Sequence, residues 1–199
     1  KKKYGDLRDL IRSYKSLAVA FSGGVDSTFL LYTAAEVLGE KAAAITAVSD
    51  LSPDTEYNEA SAFCESRKIR QFTFQFDEFS VEGFKENPSD RCYICKKNIL
   101  GTIRRIAADN GFDEVAEGSN MDDTGDYRPG MKAVKEMGVR SPLKEAGLYK
   151  SEIRALSKEL GLPTWKKPSF ACLASRIPYG EEITPEKLKL VSLAEQYLH

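Results

Sequence analysis

Histidine is all but absent: the only one is His199, the last residue of a 199-residue chain. Imidazole acid–base catalysis and His-rich metal sites are therefore not expected. No apolar run is long enough to cross a bilayer, and no secretory leader pattern opens the chain. A membrane partner is thus not expected, and the cytoplasm is the expected location. An excess of either charge is also lacking. Lys and Arg number 29 against 30 Asp and Glu, so nothing in the total argues for a nucleic-acid surface. No initiator Met precedes Lys1-Lys-Lys3, so the sequence is expected to begin inside a longer chain. Cysteine is scarce, with four residues; without a secretion signal they point to a reducing compartment and to metal or catalytic use. Internal repeats and low-complexity tracts are missing too. The chain is long enough to bury one full core, with room for an appendage.

What is present begins with an apolar run, Leu17-Ala-Val-Ala-Phe21, of the length and texture of a buried parallel strand. It breaks into Ser22-Gly-Gly-Val-Asp-Ser27 and then into a helical pattern from Asp26 to Leu38. Gly23 and Gly24 allow a tight turn and close approach of a ligand to the backbone. The first amides of the helix then face whatever sits in the turn, an arrangement that favours phosphate. Ser22 and Ser27 add hydroxyl donors, and Asp26 can hold a divalent metal against phosphate oxygens. The turn lacks the Lys that a nucleoside-triphosphatase P-loop sets on the terminal phosphates. That suits a pyrophosphate leaving as product at least as well as a phosphoryl group in transfer.

Strand and helix patterns then alternate. Ala42 to Val48 is a second apolar run, and a helix is expected from Pro53, capped by Ser52, to about Lys68. Phe72, Phe74 and Phe76 alternate as in a strand. Tyr93 to Asn110 is helical up to Gly111, Glu114 to Glu117 is a short strand, and Tyr149 to Leu160 is a helix stopped by Gly161 and Pro163. This order predicts an α/β, Rossmann-like parallel sheet with helices on both faces. Ligands of such sheets lie beyond the carboxyl ends of the strands. The Ser-Gly-Gly turn, Ser49-Asp50 and Gly118-Ser-Asn120 are expected to face one crevice. Thr164 to Gly180 has no period, holding Pro168, Pro178, the lone Trp165 and Cys172; a loop of that length is more often functional than idle. A helix resumes from Thr184 to Leu198. The expected division is 1–163 for the nucleotide domain and 164–199 for the Cys172 loop and the start of a C-terminal appendage.

Cys92 and Cys95 form a C-x-x-C pair in Asp90-Arg-Cys-Tyr-Ile-Cys-Lys-Lys97, with Cys172 far downstream. Three thiolates without histidine match a cubane iron–sulfur cluster with one open iron better than a closed four-ligand zinc site. A redox or persulfide-carrying set and a structural zinc or inert set remain open beside it. Arg91, Lys96 and Lys97 are expected to lower the thiol pKa values. Cys64 reads as a small core residue.

Ser22-Gly-Gly-Val-Asp-Ser27 resembles the PP-loop of ATP pyrophosphatases, of the adenine nucleotide alpha hydrolase-like fold, and Tyr149-Lys-Ser-Glu-Ile-Arg154 with Leu160-Gly-Leu-Pro163 resembles a helix common in that superfamily. Three further blocks, Arg91-Cys-Tyr-Ile-Cys-Lys96, Asn120-Met-Asp-Asp-Thr-Gly-Asp-Tyr-Arg-Pro-Gly130 and Ala171-Cys-Leu-Ala-Ser-Arg-Ile-Pro-Tyr-Gly180, together resemble the LarE family. The resemblance implies an ATP-dependent sulfur transferase. Such an enzyme adenylates a carboxylate of pyridinium-3,5-biscarboxylic acid mononucleotide and makes it a thiocarboxylate for the nickel-pincer cofactor of lactate racemase. It implies a 4Fe–4S cluster on Cys92, Cys95 and Cys172 carrying an extra sulfide, with single-use sacrifice of Cys172 as the alternative.

Roles follow from the same resemblance. Ser22, Gly23, Gly24, Asp26 and Ser27 would bind the pyrophosphate half of ATP, with Mg2+ on Asp26. Ala20, Ala47 and Ser49 would flank adenine and ribose, and Gly118 and Asn120 would lie along the nucleotide. Asp123, Asp126 and Arg128 would line the reacting end. Arg176, near Cys172, would hold an anionic substrate or sulfur species. Lys150 and Arg154 read as helix-surface residues, and Trp165 as packing or stacking. Family members continue past the point matching Leu198 with an Arg-Val-Arg-type segment and acidic residues tied to substrate phosphate and metal, leaving Glu195 at one edge. The expected partners are the small-molecule substrate and a second copy in a homo-oligomer. The rivals are a tRNA thiolase, an amidating synthetase and a nucleotide-sensing scaffold; balanced charge argues against the first, and three dispersed cysteines have no use in the second.

Overall fold

The computed structural model describes residues 1–49, 54–124, 129–168 and 172–198. Four parallel strands, β1 (Leu17–Ala20), β2 (Ala42–Val48), β3 (Arg70–Gln75) and β4 (Glu114–Ala116), form one sheet in the order β3-β2-β1-β4. The expected Rossmann-like class is therefore observed. The chain first grows outward from β1 to β3 and then returns to the other side of β1. That reversal opens a crevice between the ends of β1 and β4. Beyond β4, Arg140 bridges Ala116 in parallel and carries the sheet one residue pair further.

Alternation along β1 explains the two covered faces. Leu17 and Val19, with Ala42, Ala44 and Ala116, meet α1 (Lys2–Arg12), α2 (Val25–Leu38), α3 (Asp54–Ser66) and α7 (Lys150–Glu159). Ala18, with Ala43, Ile45 and Val115, meets α4 (Arg91–Asp109) and α5 (Pro129–Glu136). Small residues on β2 let the helices sit close. α2 is apolar nearly all round because it is central: Phe29, Leu30 and Leu31 are fully buried, each contributing about 1.5–3 kcal/mol. Cys64 is in this core as expected, and burial pushes its thiol up to about 12.

Element ends differ from the sequence reading by a residue or two, as fraying ends do. The Ser52–Pro53 cap and Asp50 lie outside the described residues. Helices α1, α5 and the short α6 (Pro142–Glu145) were not foreseen; Pro129 and Pro142 open the latter two, at the helix position where proline's missing N–H costs nothing. Among the described residues of the Thr164 to Gly180 stretch, only two 3-10 turns form, Pro163–Lys166 and Leu173–Arg176. The second turn and α8 (Pro185–Leu198) build a third cluster away from the sheet. In it Ala174, Ile177, Ile183 and Leu188 pack on Val81, Phe84, Phe79 and Ile94.

Candidate active site

After β1 the chain turns through Ser22, Gly23 and Gly24 into α2. Gly23 has φ 70°, and a Cβ there would stand 3.1 Å from the Ala60 Cβ of α3. Conformation and packing both require glycine. The Ser22 and Ser27 hydroxyls lie 3.1 Å apart, and Ser27 Oγ donates to the Gly24 carbonyl at 3.3 Å. With the open amides of the first α2 turn they form an anion cradle.

The loop after β4 closes on that cradle. A Cβ on Gly118 would lie 3.0 Å from Ser27 N and 3.2 Å from Asp26 Cβ, so only glycine permits the approach. Asn120 Nδ2 donates to Asp26 Oδ1 at 3.3 Å, and its backbone N–H donates to Asp123 Oδ2 at 2.8 Å. From α7, Lys150 Nζ donates to Asp26 Oδ2, while its backbone N–H donates to Asp122 Oδ2 at 2.7 Å. Lys167 Nζ reaches Gly23 O at 3.4 Å and Glu59 at 2.8 Å. Arg154 holds this arm by donating to the carbonyls of Trp165 and Lys167, each at 2.8 Å. The turn thus gains from distant segments the lysines it lacks in sequence.

The cleft between these loops has a volume of about 510 Å³. Ala20, Ser22, Gly24, Asp26, Ser27, Gly118, Asn120 and Asp123 line it, together with Lys96, Glu117 and Lys150. A larger hollow of about 810 Å³ adjoins the other side of the turn, between α2, α3 and residues 163–168. Its walls are mainly apolar, with Glu59, Arg67, Lys166 and Lys167 among them, whereas Asp26, Glu117, Lys96 and Lys150 meet in the smaller cleft, which is the candidate chemical site. Burial pushes the Asp26 carboxyl up, against the pull of Lys150 and Asn120. Burial also pushes Glu117 up, but Lys96 at 3.1 Å, Ser141 and Ser119 together outweigh it and hold that carboxyl below its ordinary value.

The thiols stand one helical turn away. Lys96, Ile99, Leu100 and Ile103 of α4 line the cleft, and Cys92 and Cys95 occupy the preceding turn of the same helix. Gly130 lies against that turn: a Cβ there would stand 3.1 Å from Lys96 Cδ and 3.7 Å from Cys92 O. Cys172 comes close enough that its charge and those of Cys92 and Cys95 are mutually felt. The expected lowering of the thiol pKa values is corrected for two of them. Burial pushes Cys95 up to about 12, with Glu78, Cys172 and Cys92 adding to it. Burial pushes Cys172 up as well, although the residue is surface-accessible, with Glu78 adding to it and the Ala174 amide opposing. Lys96 and Lys97 turn instead to Glu117 and Glu136.

Several anticipated residues lie apart from the cleft. Ala47 pairs with Phe74 on β2 and does not line it. Ser49 Oγ donates to the buried Glu78 carboxylate at 2.6 and 2.7 Å. Arg176 pairs with Glu195 at 2.6 Å and donates to Ser175 Oγ. Asp126 and Arg128 lie outside the described residues. Sequence reading missed Lys150, Lys167, Lys96, Glu117 and Glu78. The YK-S-E-I-R pattern marked Lys150's helix, but no spacing could reveal a partner 124 positions away.

Residues 6–109 match the NAD synthase family. The chain is 44% identical over 196 residues to an uncharacterised protein of Synechocystis sp., spanning 98% of this chain and 73% of that one. It is 40% identical over 193 residues to pyridinium-3,5-bisthiocarboxylic acid mononucleotide synthase of Lactiplantibacillus plantarum, spanning 96% of this chain and 68% of that one. A solved NH3-dependent NAD synthetase from Campylobacter jejuni, in complex with nitrate, aligns with TM-score 0.63 at 16% identity. It covers 98% of this chain and 93% of its own, a likeness of fold alone.

Proposed function

Because the chain belongs to the LarE family of the PP-loop ATP pyrophosphatases, we propose that it adenylates a carboxylate of pyridinium-3,5-biscarboxylic acid mononucleotide and replaces one oxygen with sulfur, towards a nickel-pincer cofactor. Membership makes it an ATP-dependent enzyme. The observation that supports the finer reading is the succession along α4: Lys96 lines the cleft, Cys95 directly precedes it and Cys92 lies one turn before it.

Oxide is too poor a leaving group for sulfur to displace from a carboxylate. In the first step a substrate carboxylate oxygen attacks the α-phosphorus of ATP, the Pα–O–Pβ bond breaks and pyrophosphate leaves. The Ser22–Ser27 cradle and Lys150 hold the departing charge, and such preorganised donors are worth most where water is excluded. Asp26 fits magnesium, being a carboxylate oxygen donor at a phosphate site, with phosphate and water supplying the other ligands. In the second step sulfur attacks the acyl carbon and AMP leaves.

Cys92, Cys95 and Cys172 are proposed as the sulfur site. In kind, three thiols suit a 4Fe–4S cluster. Bound by them, such a cluster would leave one iron open to carry an extra sulfide. The exposure of Cys172 favours a second reading, direct transfer from that residue. Its Sγ attacks the acyl carbon and AMP leaves; a base then takes the Cα proton, the Cβ–S bond breaks, and thiocarboxylate and dehydroalanine remain.

Anaerobic purification, iron and sulfide analysis, and counting of thiocarboxylate per chain test the reading. Several turnovers, lost on Cys92→Ala or Cys95→Ala, support the three-thiol site. One turnover with Cys172 lighter by the mass of hydrogen sulfide supports the second reading. Substrate-independent pyrophosphate release, or release that depends on tRNA, would overturn both.

A further inference from the structure

The three thiols come from two segments that share no strand or helix, so something must set their register. Asn87 and Arg91 stand at that junction, both buried, at 0% and 3% exposure. Asn87 Nδ2 lies 2.7 Å from Pro178 O, 3.0 Å from Glu181 O and 3.3 Å from Ile177 O, so two N–H bonds serve three carbonyls of the Cys172 segment. Its backbone carbonyl accepts from Gly180 N at 2.9 Å. Its side-chain oxygen accepts from Arg91 Nη1, and the same nitrogen donates to Ala174 O at 3.1 Å. The Tyr179 ring lies over the guanidinium at 5.4 Å. Asn87 itself is left-handed, with φ 52°, a conformation that asparagine tolerates better than most residues.

We propose that Asn87 and Arg91 are positioning residues that clamp the Cys172 segment onto the first turn of α4 and thereby hold Cys172 against Cys92 and Cys95. The inference rests on the reading of these thiols as one sulfur site, but its geometry does not depend on where the sulfur comes from. Arg91 directly precedes Cys92, and Ala174 lies two residues after Cys172, so the Arg91–Ala174 bond ties the two cysteine segments together. An arginine buried this deeply is costly unless hydrogen-bonded, and the Ala174 carbonyl and the Asn87 side chain supply bonding to it. Apolar contacts of Ala174, Ile177 and Ile183 hold the segment down without fixing its register, because apolar contact is non-directional.

The test is cross-linking of the whole protein in a Cys64→Ser background with a short homobifunctional maleimide, read by peptide mass spectrometry without ATP or substrate. Wild type is expected to link Cys172 to Cys92 or Cys95. Asn87→Gly keeps the left-handed backbone and removes the side chain; its linking rate is expected to fall about tenfold, the scale of one lost buried hydrogen bond. Arg91→Lys, which keeps the charge and loses the fork, is expected to fall in the same direction. ATP affinity and the thermal midpoint of the sheet domain are expected to stay near wild type, which a general unfolding would not allow. Undiminished linking in Asn87→Gly and Arg91→Lys, or no link in wild type, would overturn the clamp. Wild-type linking without any thiocarboxylate formation would instead overturn the proposed function and leave the clamp standing.

Discussion

The phosphate cleft and the thiol site occupy neighbouring turns of α4, yet they are assembled by different means. The cleft is a sheet-end site: strands deliver its loops, glycines let the backbones touch, and lysines from α7 and residue 167 meet carboxyl and carbonyl oxygens. Its carboxylates Asp26 and Glu117 are paired with Lys150 and Lys96. The thiol site stands off the sheet, in a small cluster where a late segment docks on the loop and helix of residues 76–95. Burial pushes up two of its thiols, Cys95 and Cys172, with the buried Glu78 adding to it. On the proposed function, activation of the substrate falls to the sheet end, and sulfur delivery to the docked segment. The docked part is held by the Asn87 and Arg91 hydrogen bonds and a small apolar cluster rather than by the sheet.

Removing charge from the cleft is the strongest way to break this contrast. Lys150→Ala is expected to lower substrate-dependent ATP–pyrophosphate exchange about 100-fold, the cost of losing one preorganised donor. Burial of Asp26 then goes less opposed, so the acid limb of its pH profile moves upward. Thiol cross-linking is expected to be unaffected; if both fall together, the two sites are one cooperative unit.

Gly118→Ala comes next. Its Cβ would press on Ser27 N and the Asp26 backbone, atoms of a helix end that cannot swing aside. The expected cost is about 1–3 kcal/mol in denaturant unfolding, with weakened ATP binding. Gly5→Ala, where a Cβ meets nothing, is the matched control. Equal effects of the two would remove the close-approach argument.

The smallest effect concerns Glu117, which ties Lys96 of the thiol-bearing helix to the cleft. Its folded pKa is held below the ordinary 4.5, so its stabilisation is complete above that value and is lost as pH falls through the folded value. Lys96→Met removes the largest of the forces lowering that pKa. Acid unfolding of the variant is expected to begin at higher pH than in wild type, with neutral-pH thiol linking retained. An unchanged acid midpoint would show that Ser141 and Ser119 suffice.

Legibility in the sequence followed range. Strand and helix patterns and the Ser22–Ser27 turn are local, and the sheet and the turn after β1 came out where the periodicity put them, while Ser49 did not join the cleft. Gly118 and Asn120 were legible because a short strand followed by Gly must end at the same sheet edge. Residues working through long-range pairing were not. Lys150 read as surface, Glu78 carried no signal, and the charges near Cys92 and Cys95 suggested lowered thiol pKa values. Sequence proximity counts a lysine whether or not it faces the sulfur. Here Lys96 faces Glu117 and Lys97 faces Glu136, while burial governs Cys95.

By itself the sequence determined the parallel α/β class, the glycine turn after β1 and the family, because each is written in short patterns whose physics is local: period, glycine conformation and hydroxyl placement. Only the tertiary structure decided which lysines serve the turn, that Cys172 comes to Cys92 and Cys95, and that Asn87 and Arg91 lie between them. Those pairings join positions far apart along the chain, and burial and hydrogen-bond geometry exist only once the chain has closed on itself.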